Sequence, residues 1–340
     1  MPSVSVPSVS AAGIPAVRPL LAAAPMAEIT DSAFRTMCFR HGADLCVTEM
    51  VSAAGIYRHS PNTLPLLTRL PEETGPTFVQ LYGSDPKEMA YAAAFVTDLG
   101  RFQGIDLNAG CPAPKVLRCG GGAALLMNPA LIGELVSAIA KSTTLPVSLK
   151  TRIGPNPETP IAAELARIAQ ESGASLLVMH GRFATARHAG PVQTGLLRNA
   201  VEAVRIPVVA NGGIQSARDA VELLAATGAA GVMPARGTVG NPWLFREIRE
   251  MVGRPLDGPR PSLRDEVRTQ LRLTLAGKRL ALESNPALDF DADEAVALDF
   301  RHHLFAYFKG LPGAGELRRR LNDLHTEEDI LRAIAEIWPD

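Results

Sequence analysis

Short apolar runs alternate with longer stretches of helical periodicity along most of the chain. The apolar runs are 20–23, 45–48, 77–81, 104–107, 147–150, 176–179, 208–210 and 231–233. The Ala- and Leu-rich stretches between them include 86–99, 129–142, 160–172 and 216–227. Strands that alternate with helices pair in parallel through βαβ units. The pattern therefore predicts an α/β fold of about eight units, which is the size of a (β/α)8 TIM barrel.

A doubly wound parallel sheet is the alternative architecture for this alternation. A sheet of that kind that binds a dinucleotide opens with a G-x-G-x-x-G turn after its first strand. No such turn follows the run at 20–23. The pattern therefore favours the barrel.

A segment rich in Pro and Gly, 253–262, separates this alternating part from four helical stretches at 262–282, 293–308, 315–324 and 326–337. Ser262 and Thr326 each precede acidic residues, as N-caps do at helix starts. We predict four parts: a disordered tail at 1–17, a TIM barrel at 18–252, a linker at 253–262 and a small all-α helical domain at 263–340.

The composition is that of an ordinary globular protein, with 46% hydrophobic residues, 20% charged residues and a formal net charge of −1. A nucleic-acid partner would therefore require a local basic patch. No apolar run is long enough to cross a membrane, and the N-terminal residues lack the basic segment of a signal peptide. We expect a cytoplasmic protein without a membrane partner.

Four cysteines, Cys38, Cys46, Cys111 and Cys119, are spread irregularly through the chain. No C-x-x-C pair is present, so neither a zinc ribbon nor a thioredoxin-like motif is indicated. Sparse cysteines fit a reducing compartment better than a disulfide framework. We expect no metal site.

Cys111 is the cysteine whose position suggests chemistry. It follows the apolar run at 104–107, comes three residues after Asn108, and precedes the glycine cluster at 120–122. In a TIM barrel the carboxyl ends of the strands form the active-site face. Free cysteines are more often small buried hydrophobes than reactive groups. From position alone, an inert thiol and a working acid or nucleophile both remain open.

Other strand ends carry polar and cationic residues. Lys150 ends a buried run, where a charge is costly unless an anion or an electron-rich ligand receives it, and Arg152 follows it. Lys150 could instead extend its ammonium group to solvent. His180 and Arg182 end the sixth run, where a lone histidine often only bonds the backbone. Together these four residues predict a polar wall at the barrel mouth.

Two glycine-containing turns end the seventh and eighth runs. They are Asn211-Gly212-Gly213 and Ala235-Arg236-Gly237. The loops after strands 7 and 8 of TIM barrels commonly hold phosphate through backbone N–H groups. The two turns therefore predict a phosphate site rather than simple tight turns, without saying whether the phosphate belongs to a flavin or to a substrate.

The C-terminal part contains a locally basic run. It consists of Arg301, His302, His303, Lys309 and the arginines at 318–320. A charge run is usually a solvated helix face, so by itself this segment is weak support for a nucleic-acid partner.

At this point the residues resemble a known family. The sequence DLNAGCP at 106–112 is similar to the signature of the tRNA-dihydrouridine synthases. Similar motifs are APMA at 24–27, TDSAF at 30–34, VTEM at 47–50, VQL at 79–81, LKTRIG at 149–154, HGR at 180–182, NGGI at 211–214 and GNPWLF at 240–245. KGLPG at 309–313 and ELRRR at 316–320 resemble the bacterial FMN-dependent branch. The resemblance covers nearly all of the chain after the tail.

The resemblance implies an FMN-bound TIM barrel with a C-terminal helical domain that helps to hold tRNA. It implies reduction of a uridine in the D-loop to 5,6-dihydrouridine, with NADPH, or NADH, as electron donor. By position, Cys111 matches the catalytic acid that protonates C5 while the flavin delivers hydride to C6. The matching cofactor-binding residues are Pro25, Met26, Ala27, Gln80, Lys150, His180, Asn211, Gly212, Gly213, Ala235 and Arg236. Asn108, Arg152 and Arg182 match positions that would hold the uracil.

Two segments differ from the family pattern. His188 stands where the pattern has a tyrosine, within an altered stretch at 183–188, and Pro234-Ala235 replaces Ile-Gly before Arg236. Two other functions therefore stay open: a flavin barrel that reduces a small pyrimidine, and a catalytically altered flavin- or tRNA-binding homologue. We expect tRNA as partner, no metal and a monomeric protein.

Overall fold

The computed structural model describes residues 14–285 and 287–338. Most of the predicted tail, residues 1–13, lies outside the described residues. Residues 14–17 of the predicted tail are described, and among them Ile14 is buried and packs with Leu20 and Ala22 in an apolar cluster formed by the barrel strands.

Eight parallel strands form a closed barrel in chain order, and β1 pairs with β8. The strands are β1 Leu20–Ala23, β2 Leu45–Ser52, β3 Thr77–Tyr82, β4 Gly104–Ala109, β5 Val147–Arg152, β6 Leu176–His180, β7 Val208–Asn211 and β8 Gly231–Met233. This confirms the predicted TIM barrel. Closure excludes the doubly wound sheet, which has two free edges.

Nine α-helices accompany the barrel strands in the described part of the chain. They are α1 Ser32–Arg40, α2 Ala53–Tyr57, α3 Pro86–Asp98, α4 Pro114–Arg118, α5 Pro129–Lys141, α6 Ala162–Glu171, α7 Thr194–Glu202, α8 Ala217–Thr227 and α9 Leu244–Met251. Local sequence explains their ends. Ser216 and Asp219 form a capping box at the start of α8, and Gly228 ends that helix with a φ of +66°.

Four helices follow: α10 Leu263–Ser284, α11 Ala292–Phe308, α12 Ala314–Arg320 and α13 Glu327–Ile337. Ser262 caps α10 and Thr326 caps α13, as the sequence pattern predicts. The helices bury a core of their own around Val267, Phe300 and Ile330, separate from the core that surrounds the barrel. The helical C-terminal region that the sequence predicts is present.

The helical region packs against the barrel along a seam of polar and aromatic side chains. His41, at the end of α1, lies 3.0 Å from the buried carboxylate of Glu266 on α10. Gly240 has a φ of +68°, and a Cβ there would lie 2.3 Å from the Ala306 carbonyl carbon on α11. Only glycine allows the two backbones to approach this closely.

Candidate active site

A cavity of about 590 Å³ opens at the carboxyl ends of the barrel strands. Every predicted site residue lines it: Pro25, Met26, Ala27, Gln80, Asn108, Cys111, Lys150, Arg152, His180, Arg182, Asn211, Gly212, Gly213, Ala235 and Arg236. Their common location follows from the topology, because parallel strands of a closed barrel end on one face. The individual role of each residue stays a prediction.

The loop that carries Cys111 is held through its backbone. The Asn108 Oδ1 atom accepts hydrogen bonds from the N–H groups of Gly110 and Cys111, at 3.1 and 3.0 Å. The Cys111 carbonyl accepts a bond from the N–H of Ala123. A Cβ at Gly122 would lie 2.5 Å from that carbonyl oxygen, so the glycine cluster lets the chain return against the cysteine.

Asn108 belongs to a buried polar chain across the barrel. Ser148 donates to Asp106, the Gln80 Nε2 atom donates to Asp106 at 2.7 Å, and the Asn108 Nδ2 atom donates to the Gln80 oxygen at 2.8 Å. Burial raises the pKa of Asp106 to about 6, partly offset by these hydrogen bonds. The chain orients both amides, so much of their hydrogen-bonding capacity positions the Cys111 loop rather than facing the cavity.

Lys150 lies on β5 beside Asn211 of β7. Its Nζ atom donates to the Asn211 Oδ1 atom at 3.1 Å, and the Asn211 Nδ2 atom donates to the Met233 carbonyl at 2.6 Å. Burial, together with the positive charge of Arg152, lowers the pKa of Lys150 to about 8. The ammonium group has a neutral amide as its hydrogen-bond partner here, which favours an electron-rich ligand in the cavity.

Arg152 joins the Cys111 loop to the stretch that departs from the family pattern. Its Nε atom donates to the Gly110 carbonyl at 2.7 Å, and its Nη1 atom donates to the carbonyls of Phe183 and Arg187. Arg182 donates to the carbonyl of Gly190, two residues after that stretch. The two guanidinium groups thus order residues 183–190 at the cavity mouth as well as lining the cavity.

His180 is uncharged across the ordinary pH range. Burial and the neighbouring cations Lys150 and Arg152 lower its pKa to about 2. The Nδ1 atom accepts the N–H of Arg182 at 3.2 Å, so the ring proton resides on Nε2. The His188 ring meets it edge to face, with centroids 6.2 Å apart. The site therefore offers a neutral N–H donor at this wall.

The turns after β7 and β8 form the glycine-rich end of the cavity. Gly212 and Gly213 have φ angles of +114° and +78°, and a Cβ at Gly213 would lie 3.1 Å from Val192. Arg236 is exposed and begins a short 3-10 helix, Arg236–Thr238. The Pro234 carbonyl accepts the N–H of Ala24, so this proline helps to close the barrel between β8 and β1. The turns suit an anion.

The first βα loop forms the opposite wall. The Thr30 hydroxyl donates to the Ala24 carbonyl at 3.0 Å and accepts the N–H of Met26 at 2.9 Å. These two bonds hold the turn that contains Pro25, Met26 and Ala27 at the cavity wall. Their small or apolar surfaces suit the flat face of an aromatic ligand.

The cavity is rich in positive charge. Four cationic side chains line it, from Lys150, Arg152, Arg182 and Arg236, whereas the described residues of its lining include no Asp or Glu. This arrangement favours a polyanionic ligand. Within the described residues, no cluster of three or more His, Cys, Asp or Glu side chains could hold a metal ion.

His302 is a lining residue that the sequence pattern did not predict. It lies on α11 in the helical region, within the run that the pattern explains as a solvated face. Met50, Gln215 and Val239 also line the cavity without having been predicted. Nothing in linear spacing places residue 302 at the same cavity as residue 111, since its position depends on how α11 packs on the barrel.

The described helices include none with the length and apolar character needed to cross a membrane.

The fold resembles those of a solved dehydrogenase and a solved amine oxidase. Histamine dehydrogenase from Rhizobium sp. 4-9 superposes with a TM-score of 0.53 at 14% identity, over 75% of this chain and 49% of that longer one. An amine oxidase from Pseudomonas geniculata N1 has the same TM-score at 13% identity, over 69% of this chain and 47% of its own. These likenesses support the barrel fold.

Sequence comparison gives the family. The dihydrouridine synthase family model matches residues 21–337. A probable tRNA-dihydrouridine synthase of Rickettsia bellii is 33% identical, over 93% of each chain. The tRNA-dihydrouridine synthase B of Vibrio parahaemolyticus is 35% identical, over 89% of this chain and 90% of its own. The chain therefore belongs to the dihydrouridine synthase family of flavin-dependent oxidoreductases.

Proposed function

We propose that this protein reduces a D-loop uridine of tRNA to 5,6-dihydrouridine, using FMN and NADPH or NADH. The observation that carries the proposal is a thiol, Cys111, held by its backbone at the wall of a cation-lined barrel cavity. Family membership and the names of the relatives supply the substrate class. We also infer that the protein acts as a cytoplasmic monomer.

The residues of the cavity fit FMN. The cavity of about 590 Å³ lies within the usual range for cofactor sites, ~300–1,000 Å³. Gly212, Gly213, Ala235 and Arg236 would hold the phosphate, because the two glycines leave room for an anion beside Arg236. Lys150, the N–H of His180 and the free N–H of Gln80 would contact the flavin ring. Pro25, Met26 and Ala27 would cover one face of it.

When bound and reduced, the flavin supplies a hydride to C6 of the uracil. Addition at C6 leaves negative charge on the C4–C5 side of the ring, so a proton must arrive at C5. The Cys111 Sγ–H bond breaks and its proton completes the new C–H bond. The thiolate that remains lies within the electrostatic reach of Lys150 and Arg152, which stabilise its charge. Arg152, Arg182 and Asn108 orient the base.

The uridine must leave the stacked tRNA to reach this cavity. Unstacking costs a few kcal/mol, which contacts with the rest of the tRNA must offset. We assign that role to the helical domain at 263–340, where Lys309, Arg318 and Arg319 are exposed. A reductase of a small pyrimidine would not need these contacts.

Mass spectrometry of tRNA tests the proposal. The purified holoprotein, incubated with NADPH and unmodified tRNA, should add two hydrogen atoms to one D-loop uridine. Free uridine and uracil serve as competing substrates. Preferential reduction of the free pyrimidine would favour the small-molecule reductase, and flavin-loaded protein that reduces neither would favour the altered homologue. In a deletion strain without a paralogue, unchanged dihydrouridine at every D-loop position would exclude the synthase.

A further inference from the structure

The helical region contributes a side chain to the barrel cavity. Of the described residues beyond 252, His302 is the one that lines the cavity containing Cys111 and Lys150. It also lines a second cavity of about 370 Å³ in the seam between barrel and helices. Its imidazole is thus placed where the two regions meet at the mouth.

Packing fixes α11 in this position. The neighbouring His303 is buried and stacks on Phe34 of α1, with ring centroids 5.2 Å apart. The Tyr307 hydroxyl donates to Gln270 of α10. Gly240 meets the backbone of Ala306 so closely that a Cβ would lie 2.3 Å from it. These contacts on two sides make His302 part of a rigid rim.

His302 itself is not used in this packing. It is exposed, and its ring forms no hydrogen bond with any residue in the described part of the chain. The two adjacent histidines of α11 therefore differ. His303 packs against the barrel, whereas His302 lines both the barrel cavity and the seam cavity. A polar ring at a cavity rim without a protein partner is available to a ligand.

We propose that His302 donates a hydrogen bond to the ribose–phosphate backbone of the RNA strand that delivers its uridine to the cavity. The inference rests on the proposed function and deepens it. Residues of the barrel surround the space for a flavin and a base, but a free nucleoside has no strand that continues outward toward α11. A contact from α11 therefore favours a nucleotide within a polynucleotide over the free nucleoside.

The test compares His302→Ala with His325→Ala, which removes an exposed histidine of the helical region that does not line the cavity. We expect His302→Ala to raise KM and Kd for tRNA about tenfold, the effect of losing one hydrogen bond to a charged group. Flavin absorbance and the rate of flavin reduction by NADPH should match those of wild type. His325→Ala should leave tRNA binding unchanged.

Rescue distinguishes a hydrogen bond from shape. His302→Lys keeps a donor and should recover most of the affinity for tRNA, whereas His302→Phe should not. Recovery by Phe alone, or equal affinities for His302→Ala and wild type, would overturn the proposed contact. A slower reduction by NADPH in His302→Ala would overturn it as well. Failure of wild type to reduce tRNA would instead refute the proposed function.

Discussion

Cys111 is held in place by its backbone, which leaves its thiol free. Its N–H and carbonyl groups are bonded to Asn108 and Ala123, but its Sγ atom has no hydrogen-bond partner in the described part of the chain. A proton donor needs this combination, because a bonded thiol would have to break a contact before each turnover.

Replacing Cys111 with Ala should abolish tRNA reduction while leaving flavin binding intact. The side chain contributes the proton but no contact that supports the fold. Flavin absorbance of the purified protein and mass spectrometry of the tRNA provide the two measurements. Cys119→Ala is the matched control, since Cys119 is an exposed thiol after α4 on the same loop. Full activity of Cys111→Ala would rule out the thiol as the acid.

Glu49 is a partly buried acid that lines the seam cavity. Burial raises its pKa from 4.5 to about 7, although the N–H of Glu28 bonds to its carboxylate. The folded protein therefore binds more protons at this site than the unfolded chain between pH 4.5 and 7. The contribution of Glu49 to stability falls as pH rises through that window.

Glu49→Gln should remove this loss. The variant should match wild type near pH 4.5 and exceed its free energy of unfolding by about 2 to 3 kcal/mol above pH 7. Denaturant melts across this pH range measure the difference. Glu164→Gln, at an exposed site on α6, should give no such trend. If the free energies of unfolding of Glu49→Gln and wild type differed by the same amount at every pH, the Glu49 carboxyl would not titrate in this pH range.

The strands show what a hydrophobic pattern can and cannot predict at the level of elements. Every strand begins where its apolar run begins. Some strands continue past the end of that run: β2 continues from residue 48 to Ser52, and β5 continues from residue 150 to Arg152. At the barrel mouth the backbone ladder continues through polar residues, because the ladder bonds do not depend on side-chain polarity. The register of β2 also shifts between Val47 and Met50, and the side-chain pattern does not reveal this shift.

Gly240 connects the loop before α9 to α11, so its substitution tests how firmly the helical region is attached. Gly240→Ala should destabilise the protein by about 2 kcal/mol or more, because it adds a clash with Ala306 to an unfavourable positive φ. Gly310→Ala is the control. Gly310 also has a positive φ, of +83°, but nothing lies within 4 Å of a Cβ there.

Thermal melts of the two variants separate these effects. Gly310→Ala should lose only the stability that an Ala residue forfeits at a positive φ, whereas Gly240→Ala should lose more stability. Gly240→Ala should also weaken tRNA binding, because it displaces His302. Equal losses in both variants would mean that the contact with Ala306 relaxes without cost.

At the scale of the whole molecule, the apolar cores of the barrel and the core of the helical region lie on opposite sides of a polar seam. The sequence pattern separates the two regions by composition, but it cannot show that His41, Arg40 and Glu266 meet, since more than 200 residues separate the histidine from the glutamate. Such pairings depend on tertiary packing alone. For the same reason the sequence pattern indicates a solvated face at His302, whereas the folded chain places this residue at the cavity.

Glu266 should therefore contribute to stability far more than a surface acid does. It is fully buried, lies 3.0 Å from His41 and 3.6 Å from Arg40, and belongs to the region that holds α10 on α1. Removing Glu266 leaves the buried His41 ring without its hydrogen-bond partner, which costs about 1–3 kcal/mol. Glu266→Ala should lower the melting temperature strongly. Glu222→Ala, which removes an exposed acid paired with Arg218, should change stability by less than about 1 kcal/mol. Similar losses for the two variants would show that the seam contributes little to holding the molecule together.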